Sequence, residues 1–455
     1  MNEALLKALT GILGEDRVLH EKSDLIPYCS DYHGSPSYEV SGNWPLCAVL
    51  PESTEEVVGI VKLAIEHETP IVPRGGGSNQ VEAVAPPMGS IVLSTARMRK
   101  IVDIDETNMT VTAQPGIGLR EMDEILEPHG MILAQEQGSY KTANIGGAIS
   151  TNGISARNNR YGDIGENVLS LEVVLGDGRV MRTGPKVCNN SAGYHLHKLF
   201  VAAEGTLGII TEITLRVMPK PEVERGVAAL FDSWETVKQV ALAVMKSGIN
   251  RAGGDVVDTL GEDGERSYVA VVGLEGNREE VDVQESLVKR LYEEYGGVIL
   301  DSEKATGIWR ITRIYWCGTP HPNLRKDDLV AAMPLQHYEK AHRRIETEVF
   351  PKYGIVWDDV DNKVIVIGRR PLACFDFLYD PKKTSHELLK EAFADMMKIV
   401  AEYGGAGPGC HAVGELLRES MAIQQDPVAM DIMMKLKQLF DPHNIMNPGK
   451  KLPSA

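Results

Sequence analysis

The sequence predicts an α+β fold of two domains. Three observations predict it. Short strands and helices alternate densely from Pro45 onward, the pattern breaks at Pro219-Lys220-Pro221, and long helices then alternate with strands. The 455 residues leave room for roughly three units, or two large ones, with a sizeable core.

Residues 1–7 begin an amphipathic helix; no basic stretch leads into an apolar run, so no signal peptide is expected. Residues 46–50 form a strand. Pro51, Ser53, Thr54, Glu55 and Glu56 then mark a helix start, because a hydroxyl can cap the first free N–H groups and acids suit the positive end of the helix dipole. The helix body covers 57–66, and the strand after it, 69–73, is broken by the glycines of 74–79. Strands follow at 90–94, 100–104 and 109–113, then a helix over 119–130 that stops on Gly130. Residues 169–175 and 179–182 make a hairpin about Gly176-Asp177-Gly178, and 207–218 is strand-rich. Past Pro221 the expected helices are 233–247, 278–295, 335–350 and 384–403, with strands at 267–274, 363–368 and 373–378. Pro334 and Pro351 bracket the third of these helices, as a residue that starts helices and stops them should. A last helix covers 430–440.

Composition narrows the function classes. Lys and Arg total 47 against 64 Asp and Glu, a net charge of −17, which repels a phosphate backbone and disfavours a nucleic-acid partner. No stretch reaches the ~20 apolar residues that cross a bilayer, so no membrane span is expected. Cys29, Cys47, Cys188, Cys317, Cys374 and Cys410 are scattered without a CxxC. That argues against a disulfide scaffold, an iron–sulfur cluster or structural zinc, and for a reducing, cytoplasmic home.

Three glycine loops carry the chemistry. Arg74, Gly75, Gly76, Gly77, Ser78 and Asn79 follow a strand; consecutive glycines bring backbone N–H groups close to an anion, or simply make a surface turn. The second loop, 144–153, mixes Gly146, Gly147 and Gly153 with the small polar Thr151 and Asn152. It lacks the strand–GxGxxG–helix context, and no GxxxxGK[ST] occurs. The third, Glu204-Gly205-Thr206-Leu207-Gly208-Ile209-Ile210-Thr211, can press backbone against a flat ring or be a buried turn.

With Gln114-Pro115-Gly116, Tyr161-Gly162, Val174 to Gly178 and the terminal Asp441 to Lys450, these loops form an ordered set. The set resembles the FAD-linked oxidases of the vanillyl-alcohol oxidase / p-cresol methylhydroxylase superfamily, most of all the branch of the glycolate oxidase D-subunit and D-lactate dehydrogenase. The resemblance covers nearly the whole chain. It implies a two-subdomain FAD-binding domain over 1–220, a substrate or cap domain over 221–425, and a segment, 426–455, that returns to the FAD domain. By the same resemblance residues 75–79 wrap the FAD pyrophosphate. Pro115, Gly116 and the 138–153 segment, with Gly138 and Ser139, hold the adenosine part and the isoalloxazine. Glu204, Gly208, Ile209 and Ile210 lie by the flavin, and Asn447 and Lys450 close the site.

The sequence also departs from that branch. Members of the wider family that attach FAD covalently often place a histidine in the first loop; here that place reads Gly77-Ser78-Asn79, which implies noncovalent FAD. The branch's metal site uses a histidine pair on a second-domain strand and a Gly-Glu-His-Gly turn. Here the strand over 367–380 has no histidine and the turn reads Gly409-Cys410-His411-Ala412, so no metal is expected. Arg369 and Arg370 are then either carboxylate anchors in place of the metal or solvated edge charges, with Arg370 taken as the anchor. His411 is either the base that takes a substrate hydroxyl proton, with a pKa near working pH, or a packed structural histidine. Arg310 and Arg313 compete as the second substrate arginine, with Arg313 preferred.

The expected activity is FAD-dependent oxidation of a small 2-hydroxy acid, D-lactate-like or glycolate-like, by hydride transfer, with electrons passed to a separate electron-accepting partner protein. A homo-oligomer is also expected. Rival expectations are oxidation of a 4-alkylphenol or aromatic alcohol, served by Tyr315, Tyr379 and Arg418; non-redox flavin chemistry of the alkyl-dihydroxyacetone-phosphate synthase kind; and a flavin subunit acting only as an electron conduit.

Overall fold

The chain folds around two N-terminal sheets and one large antiparallel sheet. The computed structural model describes residues 2–32, 37–260, 266–313, 323–357, 363–366 and 372–453. In the first sheet Cys47–Val49, Ile91–Ser94 and Ile71–Arg74 run parallel, with Val18–Leu19 antiparallel at one edge. Parallel neighbours need a crossover, and the helix Thr54–Glu66 supplies it. The Ser53 side chain accepts from the Glu56 N–H as its cap. Its buried face of Val57, Ile60, Val61 and Ala64 has helical spacing and packs with Leu5, Leu9 and Leu13 of the helix Asn2–Leu13.

The second sheet is antiparallel, in the order Ile101–Asp105, Thr110–Ala113, Ile209–Arg216, Val168–Val174, Val180–Thr183. Its core joins the helices Leu119–Leu126 and Ile145–Thr151. Because its third strand comes from residues 209–216, the sheet forms only when the three glycine loops have been brought together around it.

In the large sheet the order is Val298–Ile299, Val223–Phe231, Arg266–Gly276, Gly253–Leu260, Lys363–Val366, Leu372–Tyr379, Arg325–Ala332, and Ile355–Trp357 also pairs with Leu372–Tyr379. Strand period two sorts its faces. Val227, Ala229 and Phe231 join a core with the helices Trp234–Lys246, Arg278–Glu294 and His386–Glu402, whereas Ala228 packs on the opposite face with Trp309 of the helix Ser302–Thr312 and with Ala156. Trp309 is therefore a core residue, lying against Gly253 and Gly273, where a Cβ would overlap its ring.

One expected element differs. The helix meant to end before Pro351 instead runs as Tyr338–Arg344, a π-helical turn Ile345–Val349, and Phe350–Tyr353 with Pro351 inside its first turn. A wider π-turn removes the clash between the proline ring and the carbonyl four residues earlier, so the proline bends the path without stopping it. At the other end of the chain, the helix Pro427–Phe440 leads into a segment that joins the first sheet: Ile71 N–H donates to the Ile445 carbonyl at 2.7 Å and Asn447 N–H to the Ile71 carbonyl at 2.8 Å.

Candidate active site

A cavity of about 650 Å³ opens where the first sheet, the second sheet and the large sheet approach one another. Its first wall is the loop after Ile71–Arg74: Arg74, Gly75, Gly76, Gly77, Ser78 and Asn79 all line it. The glycines are there for loop-to-loop contact. A Cβ at Gly76 would overlap the Thr142 carbonyl oxygen, and one at Gly75 the Asn144 amide. The Arg74 guanidinium turns back to the carbonyls of Ser30 and Pro27, at 2.7 and 2.9 Å, so the cavity is lined by this loop's backbone more than by its cation.

The second wall is 137–153, including Gly138, Ser139, Gly146, Gly147, Thr151 and Gly153, with Pro115 behind it. Asn144 caps the helix Ile145–Thr151 by accepting from Gly147 N–H at 2.8 Å. Gly146 lies on Pro115, whose Cβ would be 2.5 Å from an added side chain. The third wall is Glu204, Gly208, Ile209 and Ile210. Among the described residues no protein group accepts from the N–H of Gly76, Gly77 or Ser78. A row of free amide donors along a narrow, largely apolar cavity fits a dinucleotide whose pyrophosphate is anionic and whose rings are flat.

The fourth wall comes from the turn after the helix His386–Glu402. Cys410 and His411 line the cavity there. His411 and Ala412 both adopt left-handed backbone, φ 52° and 69°, costly for side-chain-bearing residues. The turn is held from both N-terminal sheets. The Asn79 amide donates to the His411 carbonyl at 2.8 Å, and the Glu204 carboxylate accepts from the N–H of Val413 and Gly414 at 3.0 and 2.8 Å. His411 Nδ1 lies 3.4 Å from Asp328 Oδ1 on the strand Arg325–Ala332. Burial opposes a charge on His411, but the neighbouring Cys410 and Asp328 outweigh it and hold its pKa well above the usual 6.5. The expected histidine is thus shifted toward its charged form relative to a free imidazole.

Several expected site residues stand elsewhere. Gly116 packs under the 95–98 turn and donates to the Met98 carbonyl at 2.8 Å. Asn152 ends the helix Ile145–Thr151 in left-handed conformation. Asn447 is buried and donates to the carbonyls of Ala83 and Glu204, at 3.0 and 2.7 Å. Lys450 is buried against Glu415. These four support the walls without lining them. Glu204 borders the cavity while its carboxylate serves the cap turn and Lys451, 3.3 Å away.

Arg313 is not on the wall either. Its guanidinium is taken up by Glu136 at 2.7 Å, by Glu224, and by Glu275 at 3.8 Å, in a buried cluster with Arg157 and Tyr161 that ties the large sheet to the second wall. The helix Ser302–Thr312 ends over that seam, which aims Arg313 at the acids. Arg310 is also paired with Glu224, at 3.4 Å. Arg369, Arg370 and Tyr315 lie outside the described residues. Of the other residues suited to a phenolate, Tyr379 packs in the large core and Arg418 donates to the Gly449 carbonyl at 3.0 Å. Among the described residues no three His, Cys, Asp or Glu side chains converge as metal ligands.

Asp328 and Cys410 as partners of His411 were not foreseen. Asp327-Asp328 at the head of an apolar strand was the one visible signal for Asp328, since paired acids there need a reason. Tyr32, Gln80 and Ile154 also line the cavity and carry no sequence signal for it.

Residues 45–184 match the FAD binding domain family, and residues 220–451 match the C-terminal domain of the FAD linked oxidases. The chain is 29% identical to the glycolate oxidase subunit GlcD of Bacillus subtilis, over 92% of this chain and 91% of that one. It is 30% identical to a D-lactate dehydrogenase of Archaeoglobus fulgidus, over 88% and 90% of the two chains. Among solved structures, p-cresol methylhydroxylase with substrate bound superposes with a TM-score of 0.79 at 21% identity, covering 99% of this chain and 96% of that one, a likeness of fold. The resemblance read from the motifs, the α+β class and FAD as the cofactor are borne out.

Proposed function

The chain belongs to the FAD-linked oxidases, and we propose that it oxidises a small 2-hydroxy acid of the glycolate or D-lactate kind and passes the electrons to a separate acceptor. That it is an FAD-dependent oxidoreductase follows from the family. The substrate class is our reading. The observation that carries it is the placement of His411, backed by Asp328, on the wall of the cavity that the glycine loops also line.

Bound FAD supplies a two-electron acceptor for hydride. The first and second walls, Gly75 to Asn79 and Gly138 to Gly153, are the residues that would hold it. Everything else falls to the cap turn. As imidazolium, His411 offers positive charge to the carboxylate or developing alkoxide of a hydroxy acid. Once it loses its proton, the ring nitrogen not facing Asp328 can take the proton of the substrate hydroxyl, while Asp328 keeps the ring oriented and favours its return to the charged form. Glu204 and Asn79 keep the turn in register with the flavin side, which fixes the distance between base and acceptor. The second anchor for the substrate carboxylate is proposed to be Arg370. Arg313 fits a role in the seam beneath the second wall.

Because the cysteines are scattered without a cluster motif, electrons leave to a separate acceptor, and we include a redox partner protein and self-association of the chain in the proposal. The experiment is anaerobic addition of D-lactate, glycolate and 4-cresol to the yellow protein, read at the visible flavin band. Bleaching by a hydroxy acid is expected. Bleaching by 4-cresol alone would move the assignment to phenol oxidation, and no bleaching by any donor would leave an electron conduit.

A further inference from the structure

The strand that carries Asp328 brings more charge to His411 than one carboxylate. In the pairing of Arg325–Ala332 with Leu372–Tyr379, Asp328 lies directly opposite Asp376. Opposed residues share a face of a sheet, and so do residues two apart on one strand. Lys326, Asp328 and Val330 therefore turn the same way as Asp376 and Cys374. That way is toward the cavity, because Val330 and Cys374 pack with Ile154 and Cys410, both on its wall. The alternate residues, Leu329 and Phe375 among them, enter the large core on the other face.

The cap turn runs along the other side of the same strand. Ala406 bridges Ala332, and Gly409 N–H donates to the Val330 carbonyl at 2.5 Å. One step further along, His411 Nδ1 lies 3.4 Å from Asp328 Oδ1. Across the strand, Asp376 Oδ2 lies 3.5 Å from Lys326 Nζ. The side chains of Lys326, Asp328 and Asp376 are only 14%, 11% and 8% exposed. Imidazole, two carboxylates and ammonium thus form one buried row with a basic group at each end. Charges this deep are screened less than surface charges, so each is felt along the row. Two opposed carboxylates repel each other, and the basic ends offset that repulsion.

We propose that Asp376 and Lys326 are positioning residues that act on His411 through Asp328. The acid strengthens the hold of the imidazole on its proton and the cation weakens it, and their balance sets the pH at which the ring becomes a base. No atom is exchanged along the row. Only the kinetic consequence rests on the reading of His411 as the base of hydroxy-acid oxidation; the effect on the ring's proton affinity does not. The other titratable groups described around the ring are Cys410 beside it and Glu204, which holds the Val413 and Gly414 N–H groups and is paired with Lys451 at 3.3 Å. The variants below leave all of these in place.

The measurement uses FAD-loaded protein carrying ¹³C at histidine Cε1, in which the resonance missing from His411→Ala identifies the ring. Its titration is compared in Asp376→Asn, Lys326→Met, Lys326→Arg and the Asp376→Asn/Lys326→Met double variant. Asp376→Asn should lower the His411 pKa and Lys326→Met should raise it, each by about half a pH unit or more, the scale of one weakly screened charge about two strand spacings away. The double variant should return toward wild type, and Lys326→Arg should match wild type. The apparent pKa of flavin reduction by glycolate should move with the resonance. Packing roles alone would not give shifts of opposite sign, so shifts of one sign, or no shift, overturn the proposal. Should Asp376→Asn fail to fold, Lys326→Met against Lys326→Arg decides alone: a raised pKa in the first only supports the row, and equal values overturn it. Failure of the hydroxy-acid reading is separate, since it shows as no bleaching by glycolate while the resonance still shifts as expected.

Discussion

The loop at 74–79 and the turn at 407–414 border one cavity and meet where the Asn79 amide donates to the His411 carbonyl, and they are built on opposite principles. The loop is rich in glycine because bulk would collide with a neighbouring loop: Gly75 and Gly76 touch residues 142–144. The turn carries side chains through left-handed backbone at His411 and Ala412 and is held there by Glu204 and Asn79. One wall presents backbone and tolerates little change of shape. The other presents side chains and depends on charges supplied from elsewhere in the chain. The difference teaches that the proposed cofactor side and the proposed reactive side should fail in different ways.

The largest effect should come from Gly76→Val. A Cβ there overlaps a backbone oxygen, Thr142 O, that no side-chain rotation can clear. We expect protein purified without its yellow colour, and acid supernatants of the wild type, but not of the variant, to contain FAD. Next is His411→Ala, which should slow flavin reduction by substrate by ~10²–10⁴ at unchanged flavin content, as stopped-flow traces normalised to bound flavin would record. A variant that loses flavin and keeps a normal rate per flavin would erase the contrast between the two walls.

A third expectation uses pH. Because Cys410 and Asp328 raise the His411 pKa well above 6.5 against the pull of burial, the rate of flavin reduction should climb with pH through an apparent pKa above 6.5, the neutral ring being the base. The same shift has a sign for stability. The contribution of His411 is complete below about pH 6.5, its unfolded value, and is lost as pH rises through the raised folded value. Rate and melting temperature should therefore move in opposite directions over that window; a rate that is flat there sinks the base assignment. The smallest effect is expected for Glu204→Gln, which exchanges a charged acceptor of two backbone N–H groups for a neutral one. A loss of about 1–2 kcal/mol by denaturant unfolding, with flavin reduction falling more than flavin content, would place Glu204 with the turn and not with the cofactor.

Much of the cofactor side was legible in the sequence, because glycine runs leave a local mark. Gly75, Gly76, Gly146, Gly147 and Gly208 lie on the cavity, and so does most of the 138–153 segment. The misplacements there have one cause. Gly116, Asn152, Asn447 and Lys450 do shape the walls, but by packing, capping or pairing one layer back. The reactive side was less legible because its partners are remote: Asn79 and His411 are 332 residues apart, and Glu204 and Gly414 are 210 apart. A histidine in a turn can be seen in the sequence, but Asp328 beside it cannot be seen until a strand is laid along that turn. Arg313 shows the converse. It was expected to hold substrate, yet Glu136, Glu224 and Glu275 take it up at the seam.

The closure of the first sheet by Ile445 and Asn447 sets an order for the life of the chain. Ile71 takes its hydrogen bonds from residues made some 370 positions later, and Asn447 bridges Ala83 to Glu204. During synthesis the ribosome delivers the three glycine-loop walls of the cavity early, then the large sheet, then the turn that carries His411, and only after these the strap that ties the first sheet shut. The N-terminal sheets therefore wait, incompletely sealed, through most of translation, and long-range closure of this kind is slow because the loop must be drawn in before any contact rewards it. Stable capture of FAD becomes a late event, coupled to the synthesis of residues 445–447, so that a chain interrupted before residue 445 should not retain flavin.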